Sequence, residues 1–207
     1  MNISKIINNL KVKRKVFFSE KDFQFAIAWE IQEYHKNANI ILEYCPDSKE
    51  SEHIDIFVEL DNKCYPIELK YKTKKLIIKR KDGDYCLKNH GAQNNGRYDY
   101  LKDIQRIEKF SKNKYKYGFA ILLTNDDLYW KENNRGSTNK KSSLNQNNVS
   151  TGIMDWVTHA CKGTTKDRKK PIKLCGVYPT KWKYYSKFKE SKNGEFRYCL
   201  TKIKQPH

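Results

Sequence analysis

Two adjacent segments constrain this chain more than any other part of it. Ile54-Asp55-Ile56-Phe57-Val58-Glu59-Leu60 and Cys64-Tyr65-Pro66-Ile67-Glu68-Leu69-Lys70-Tyr71 both alternate apolar and polar residues with the two-residue period of a β-strand. Asp61-Asn62 lies near the join, and both residue types tolerate the positive φ that a tight hairpin loop demands. With that pair as the loop, Leu60 pairs with Lys63, and counting outward sets Asp55 opposite Glu68. Facing side chains in such a ladder stand about 5 Å apart, where like charges repel. Lys70 falls on the same face as Glu68. Two carboxylates held together beside an ammonium suit a divalent metal better than a solvated surface.

The rest of the chain gives this hairpin its setting. At 207 residues, with 38% hydrophobic and 13% aromatic residues, it has material for one cored domain and a large polar surface. No run approaches a membrane span, and the first ten residues do not read as a signal peptide. The six cysteines are dispersed without a C-x-x-C pair, which predicts reduced thiols and a cytoplasmic setting. His159-Ala160-Cys161 is the one close His/Cys pairing and lacks the company of a zinc site. Forty-two basic residues against 24 acidic ones leave a net charge of +18, a field that attracts nucleic acid.

Residues 1–18 predict a basic arm or a short first helix. Ser19-Glu20-Lys21-Asp22 reads as a capped helix start, with the helix running to Tyr34. Phe23, Ile27 and Tyr34 form its apolar stripe, and Glu30 falls on that stripe. Either something in the interior binds Glu30, or it sits at the stripe's edge and reaches water. Ile40–Tyr44 predicts a strand. Lys72–Arg80 and Tyr85–Leu87 predict a basic ribbon turned at Lys81-Asp82-Gly83-Asp84. Asn89–Gly96 reads as a loop. Tyr98–Phe110 reads as a helix with Leu101, Ile104 and Ile107 inward and Lys102, Arg106 and Lys109 outward. The apolar run Tyr117–Thr124 fits a strand buried on both faces. Glu132–Ser150 reads as a long mobile loop, Ile153–Cys161 as a short helix, and Leu174–Tyr178 and Phe196–Ile203 as strands, the last at an edge. The expected fold class is α/β: a central mixed β-sheet flanked by helices.

Phosphodiester hydrolysis needs charge neutralisation at the phosphate, an activated water and help for the leaving oxygen. Mg²⁺ is held by one or two carboxylates and keeps several waters. Asp55 and Glu68 supply the carboxylates, the Leu69 carbonyl a natural third ligand, and Lys70 a charge at the phosphate. Glu30 completes the set if its helix reaches the sheet.

A helical Glu30, then Ile54-Asp55-Ile56, then Ile67-Glu68-Leu69-Lys70 resembles the PD-(D/E)xK nuclease superfamily, whose fold is restriction-endonuclease-like. The resemblance covers Ser19 to Asn125 and departs from the written motif at Ile54, where the name has proline. It implies a restriction-endonuclease-like core over 19–125 and a C-terminal β/loop elaboration over 126–207, within a single domain. It also implies Asp55 and Glu68 as metal-binding acids, Lys70 as the catalytic lysine and Glu30 as the acid of the first core helix. The cofactor would be Mg²⁺, with Mn²⁺ able to substitute. The implied activity is endonucleolytic hydrolysis of DNA, double-stranded DNA first, in restriction or phage defence. Gln93, Arg97, Gln105 and Arg106 are all candidates for a further polar residue on the following helix. Lys74, Lys75, Lys79, Arg80, Lys81 and Arg97 are the expected DNA contacts, and a homodimer the expected assembly. The competing readings are a nuclease-like binding module or subunit that does not cut, and a basic protein-interaction subunit.

Overall fold

The computed structural model describes residues 1–46, 53–79, 83–110, 115, 117–132, 143–156, 162–189 and 191–204. The helix that follows Ser19, α2 (Glu20–Tyr34), starts where its cap dictates, with Ser19 Oγ accepting from the Asp22 amide. Ahead of it the basic arm is a helix, α1 (Ile3–Lys13), lying against α2. Next come the strands β1 (Asn39–Tyr44), β2 (Ile54–Leu60) and β3 (Lys63–Lys72). Asp61 and Asn62 have φ of 50° and 57°, so the β2–β3 hairpin turns on the two residues suited to it. Its register is Leu60↔Lys63 through Ile56↔Ile67.

A small ribbon of β4 (Leu76–Ile78) and β5 (Tyr85–Leu87) leads into α3 (Gln93–Lys109) and β6 (Gly118–Thr124). Helix α3 begins five residues before the expected Tyr98 and absorbs the second half of the Asn-rich stretch expected as a loop. Gly96 is what that early turn requires: a Cβ there would lie 2.0 Å from the Tyr129 hydroxyl. The parallel pair β3–β6 is bridged by α3, the crossover that parallel strands need.

The remaining elements are β7 (Val149–Met154), the short α4 (Lys162–Thr165), β8 (Ile172–Pro179), β9 (Trp182–Lys187) and β10 (Glu195–Ile203). The central sheet is mixed and six-stranded, in the order β1-β2-β3-β6-β10-β9, with four α-helices among the described residues. Two expectations are corrected here. Ile153 and Met154 belong to a strand, not a helix, because β8 supplies their backbone partners; residues 157–161, with His159 and Cys161, lie outside the described residues. Strand β10 is interior, and β9 forms the edge. Of the expected mobile loop, 133–142 lie outside the described residues. Beyond them Leu144 is buried, with its carbonyl accepting from Trp182 Nε1 at 2.6 Å. No helix among the described residues is long and apolar enough to cross a membrane.

The sheet is covered on both faces. Ile56, Val58, Ile67, Leu69, Tyr71, Ile121 and Leu123 pack with α1 and α2 on one side. Ala120 and Leu122 pack with Leu101, Ile104 and Ile107 of α3 on the other. In the parallel register Glu68 neighbours Ala120 and Lys70 neighbours Leu122. Neighbours in register share a face, so β3 presents charge to α3 where β6 presents alanine and leucine.

Candidate active site

Pairing between β2 and β3 stops at Ile56↔Ile67. Beyond it, the β3 amides on that edge lose their strand partner, and buried orphan amides are costly. Two carboxylates answer them. Asp55 Oδ2 accepts from the Leu69 amide at 2.7 Å, and Glu20 Oε2 accepts from the Tyr71 amide at 2.7 Å. The amides are two residues apart, so these acids are spaced about 6.6 Å along the strand. Asp55 is held in place by Gln24, whose Nε2 donates to the Asp55 carbonyl.

Helix α3 closes the other side. Asp103 and Arg106, three residues apart, share its sheet-facing stripe. Lys70 Nζ lies 2.9 Å from Asp103 Oδ2, Arg106 Nη1 2.6 Å from Glu68 Oε1, and Arg106 Nη1 3.5 Å from Asp103 Oδ1. Glu68 and Asp103 are 1% and 3% exposed, so these charges meet with little water to screen them. Burial, Asp103 and Asp55 together push the Glu68 pKa well above the carboxylate range against the pull of Arg106. Burial pushes Asp103 up to about 6, although Lys70 and Arg106 oppose it. For Lys70 burial acts downward, but Asp103, Glu20 and Asp55 outweigh it and hold the amine above its ordinary value. Lys70 is therefore an ammonium at neutral pH: a charge stabiliser and not a proton acceptor.

The structure brings Asp55, Glu68 and Lys70 together. It does not bring Glu30 to them. Glu30 is buried, as its place on the stripe implied, but its carboxylate pairs with Lys13 of α1 at 2.7 Å. The α2 acid that reaches β3 is Glu20, ten residues and about 15 Å earlier along the helix. Glu20 and Asp103 are the two residues that sequence reasoning missed. Glu20 was read only as part of a helix start. Asp103 carried a signal, since it lies on the stripe of Tyr100, Ile104 and Ile107 at helical spacing. Arg106, expected to face outward, turns in because Glu68 lies beneath it. Of the other polar candidates on α3, Gln93 donates to Asp126 and Gln105 to the Lys173 carbonyl.

The expected phosphate contacts divide. Lys74 is committed to Asp126 and Asp127 at 3.0 and 2.6 Å. Arg97 donates to Asn94 and to the Leu128 carbonyl and lies over the Tyr129 ring. Lys75 and Lys79 are exposed. Arg80 and Lys81 lie outside the described residues.

Among the described residues no three acidic, histidine or cysteine side chains converge tightly enough to hold an ion as they stand. The donor chemistry nevertheless fits a hard divalent cation. Four carboxylates, Glu20, Asp55, Glu68 and Asp103, surround two cations. Asp103 Oδ2 is buried and, despite its ion pair with Lys70, accepts no aligned hydrogen bond. Asp55, Glu68 and the Leu69 carbonyl offer oxygens on one side, and water completes such a shell in ordinary Mg²⁺ sites. Loading the site requires Arg106 to release Glu68. The chain matches no protein-family model, no curated protein and no solved structure.

Proposed function

We propose that this chain is a metal-dependent nuclease of the PD-(D/E)xK type, with a restriction-endonuclease-like core, that hydrolyses DNA. The observation that carries the reading is Glu68 and Lys70 beneath α3, in register with the β6 core residues Ala120 and Leu122, with the Asp55 carboxylate on the Leu69 amide between them. Burying the carboxylates of Glu68 and Asp103 costs stability that a purely structural face would not spend. The net charge of +18 supplies the attraction for a polyanion.

In this reading Asp55 and Glu68 bind Mg²⁺, with Leu69 contributing its carbonyl. The bound ion would lower the pKa of a coordinated water and neutralise phosphate charge. Lys70, kept protonated by Asp103, stabilises the negative charge that grows on the phosphoryl oxygens. Glu20 fixes the β3 edge and adds to the field around Lys70. Arg106, once off Glu68, would turn its charge to a phosphate. Lys75 and Lys79 offer exposed charge for the backbone.

The test is cleavage of labelled plasmid and oligonucleotide DNA with Mg²⁺, Mn²⁺ or chelator, beside Glu68→Gln and Lys70→Ala. We expect cutting that needs metal and falls at least ~100-fold in each variant. Intact protein that cuts nothing, or variants that cut as well as the parent, would end the reading. One observation favours the rival reading of a binding module that does not cut: Arg106 already occupies Glu68. Metal-independent binding without cleavage would select that rival.

A further inference from the structure

Beside the acidic cluster, and sharing Glu20 with it, lies an open groove of about 410 Å³. Glu20, Tyr71 and Lys72 form its near wall, and Thr73, Lys88, His90 and Phe18 continue the lining. The volume lies within the usual range for small-ligand sites, about 300–1,000 Å³. Its charge is cationic. Lys72 and Lys88 make no ion pair among the described residues, and the one carboxylate in the lining, Glu20, is bonded to the Tyr71 amide. His90 is oriented from the end of β3: its Nδ1 accepts from the amide of Thr73, the residue after that strand, at 3.1 Å. The proton of the neutral ring therefore sits on Nε2, which remains a donor.

The groove also has an aromatic platform. Phe18 is 59% exposed and stacks on Tyr85 of the β4–β5 ribbon, with ring centroids 4.1 Å apart and planes at 19°. One ring face is covered by Tyr85, which leaves the other open. A large exposed aromatic beside unpaired lysines is the arrangement that holds a base and its phosphate together. Lys72 follows Lys70 on the same face of β3, about 6.6 Å further along the strand. The groove is thus a direct continuation of the proposed catalytic cluster.

We infer that this groove is a subsite for one unstacked nucleotide of a single DNA strand, adjoining the nucleotide at the acidic cluster. Lys72, Lys88 and the His90 Nε2–H hold the phosphate, and Phe18 stacks on the base. The inference rests on the nuclease reading for its substrate class and sharpens it, since a base can stack on Phe18 only where the duplex is open.

The experiment is fluorescence anisotropy of a labelled single-stranded 12-mer and its duplex, with the full chain in chelator. The variants are Lys72→Gln/Lys88→Gln and Phe18→Leu, with Lys169→Gln as a control in another part of the surface. Thermal melts confirm that each is folded. The double lysine variant should flatten the slope of log K against log salt by about 0.7, the share of one phosphate on a single strand. Phe18→Leu should weaken single-strand binding about fivefold to a hundredfold and spare the duplex. If the lysine variant behaves like Lys169→Gln, if Phe18→Leu affects duplex and single strand alike, or if no single strand binds, the subsite is refuted. Binding that follows the groove while nothing is cut in Mg²⁺ would keep the subsite and remove the nuclease reading.

Discussion

Replacing Arg106 by methionine keeps most of the aliphatic stem and deletes the charge that Glu68 leans on. The guanidinium lies 2.6 Å from a carboxylate that is 1% exposed and 3.5 Å from Asp103, itself 3% exposed. Breaking a buried pair costs about 3–5 kcal/mol. Because the Arg106 side chain is 23% exposed and Lys70 still serves Asp103, the expected loss lies at the low end, about 3 kcal/mol. For a chain of this size that is a drop in Tm of about 6–12 °C. The loss should depend on pH in a definite direction. Without Arg106 the folded-state pKa of Glu68 climbs further, so its cost is full where the group is ionised and fades as pH falls through that raised value. Chemical denaturation at pH 8.5, 7 and 5.5 reads this directly. The gap between parent and variant should shrink on acidification, and Mg²⁺ should raise the Tm of the variant more than that of the parent. A gap under ~0.5 kcal/mol, the size of a surface pair, or one that is constant with pH, would refute the account of a strained, cation-poor cluster.

Two further substitutions test the placement of the helix acids and the turn. Glu20→Gln should reduce cleavage at least ~10-fold by altering the field at Lys70, whereas Glu30→Gln, at a residue paired with the half-exposed Lys13, should leave it within about twofold and cost about 1 kcal/mol of stability; equal effects on cleavage would undo the distinction. Asn62→Val, which forces a β-branched residue to a φ of 57°, should cost about 1–2 kcal/mol in urea denaturation, while Asn62→Gly should cost nothing. A tolerated valine would show that the hairpin register is held elsewhere.

The hairpin was legible because its determinants are local: an alternating pattern on each strand and a two-residue turn whose φ values only certain residues accept. Helix α2 was equally legible at its start, since Ser19 is its own cap. What the pattern could not supply was the partner across space. Glu30 is buried, as periodicity says, but periodicity does not say that Lys13 of α1 waits there, so the wrong acid of α2 was assigned to the site. Asp103 lies on an apolar stripe, yet ion pairs within a helix are the commoner fate of such residues, so spacing alone does not mark it as a site acid. Arg106 turned inward for a tertiary reason, the buried Glu68 on β3. The edge strand was misjudged for a similar reason. Trp182 and Tyr185 are buried like core residues, yet the exposed Lys183 and Tyr184 between them mark the sheet's outer border.

The early end of the β2–β3 ladder has a consequence for how this protein can lose its chemistry. Asp55 is at once a ligand candidate and the acceptor of the Leu69 amide. Removing the side chain would therefore unsettle the strand as well as the site, and a silent Asp55→Ala variant would say nothing about catalysis. Asparagine keeps an acceptor oxygen for the amide and discards the charge. The same fold can thus persist with its acid exchanged for an amide, as a scaffold that grips its ligand and leaves it whole.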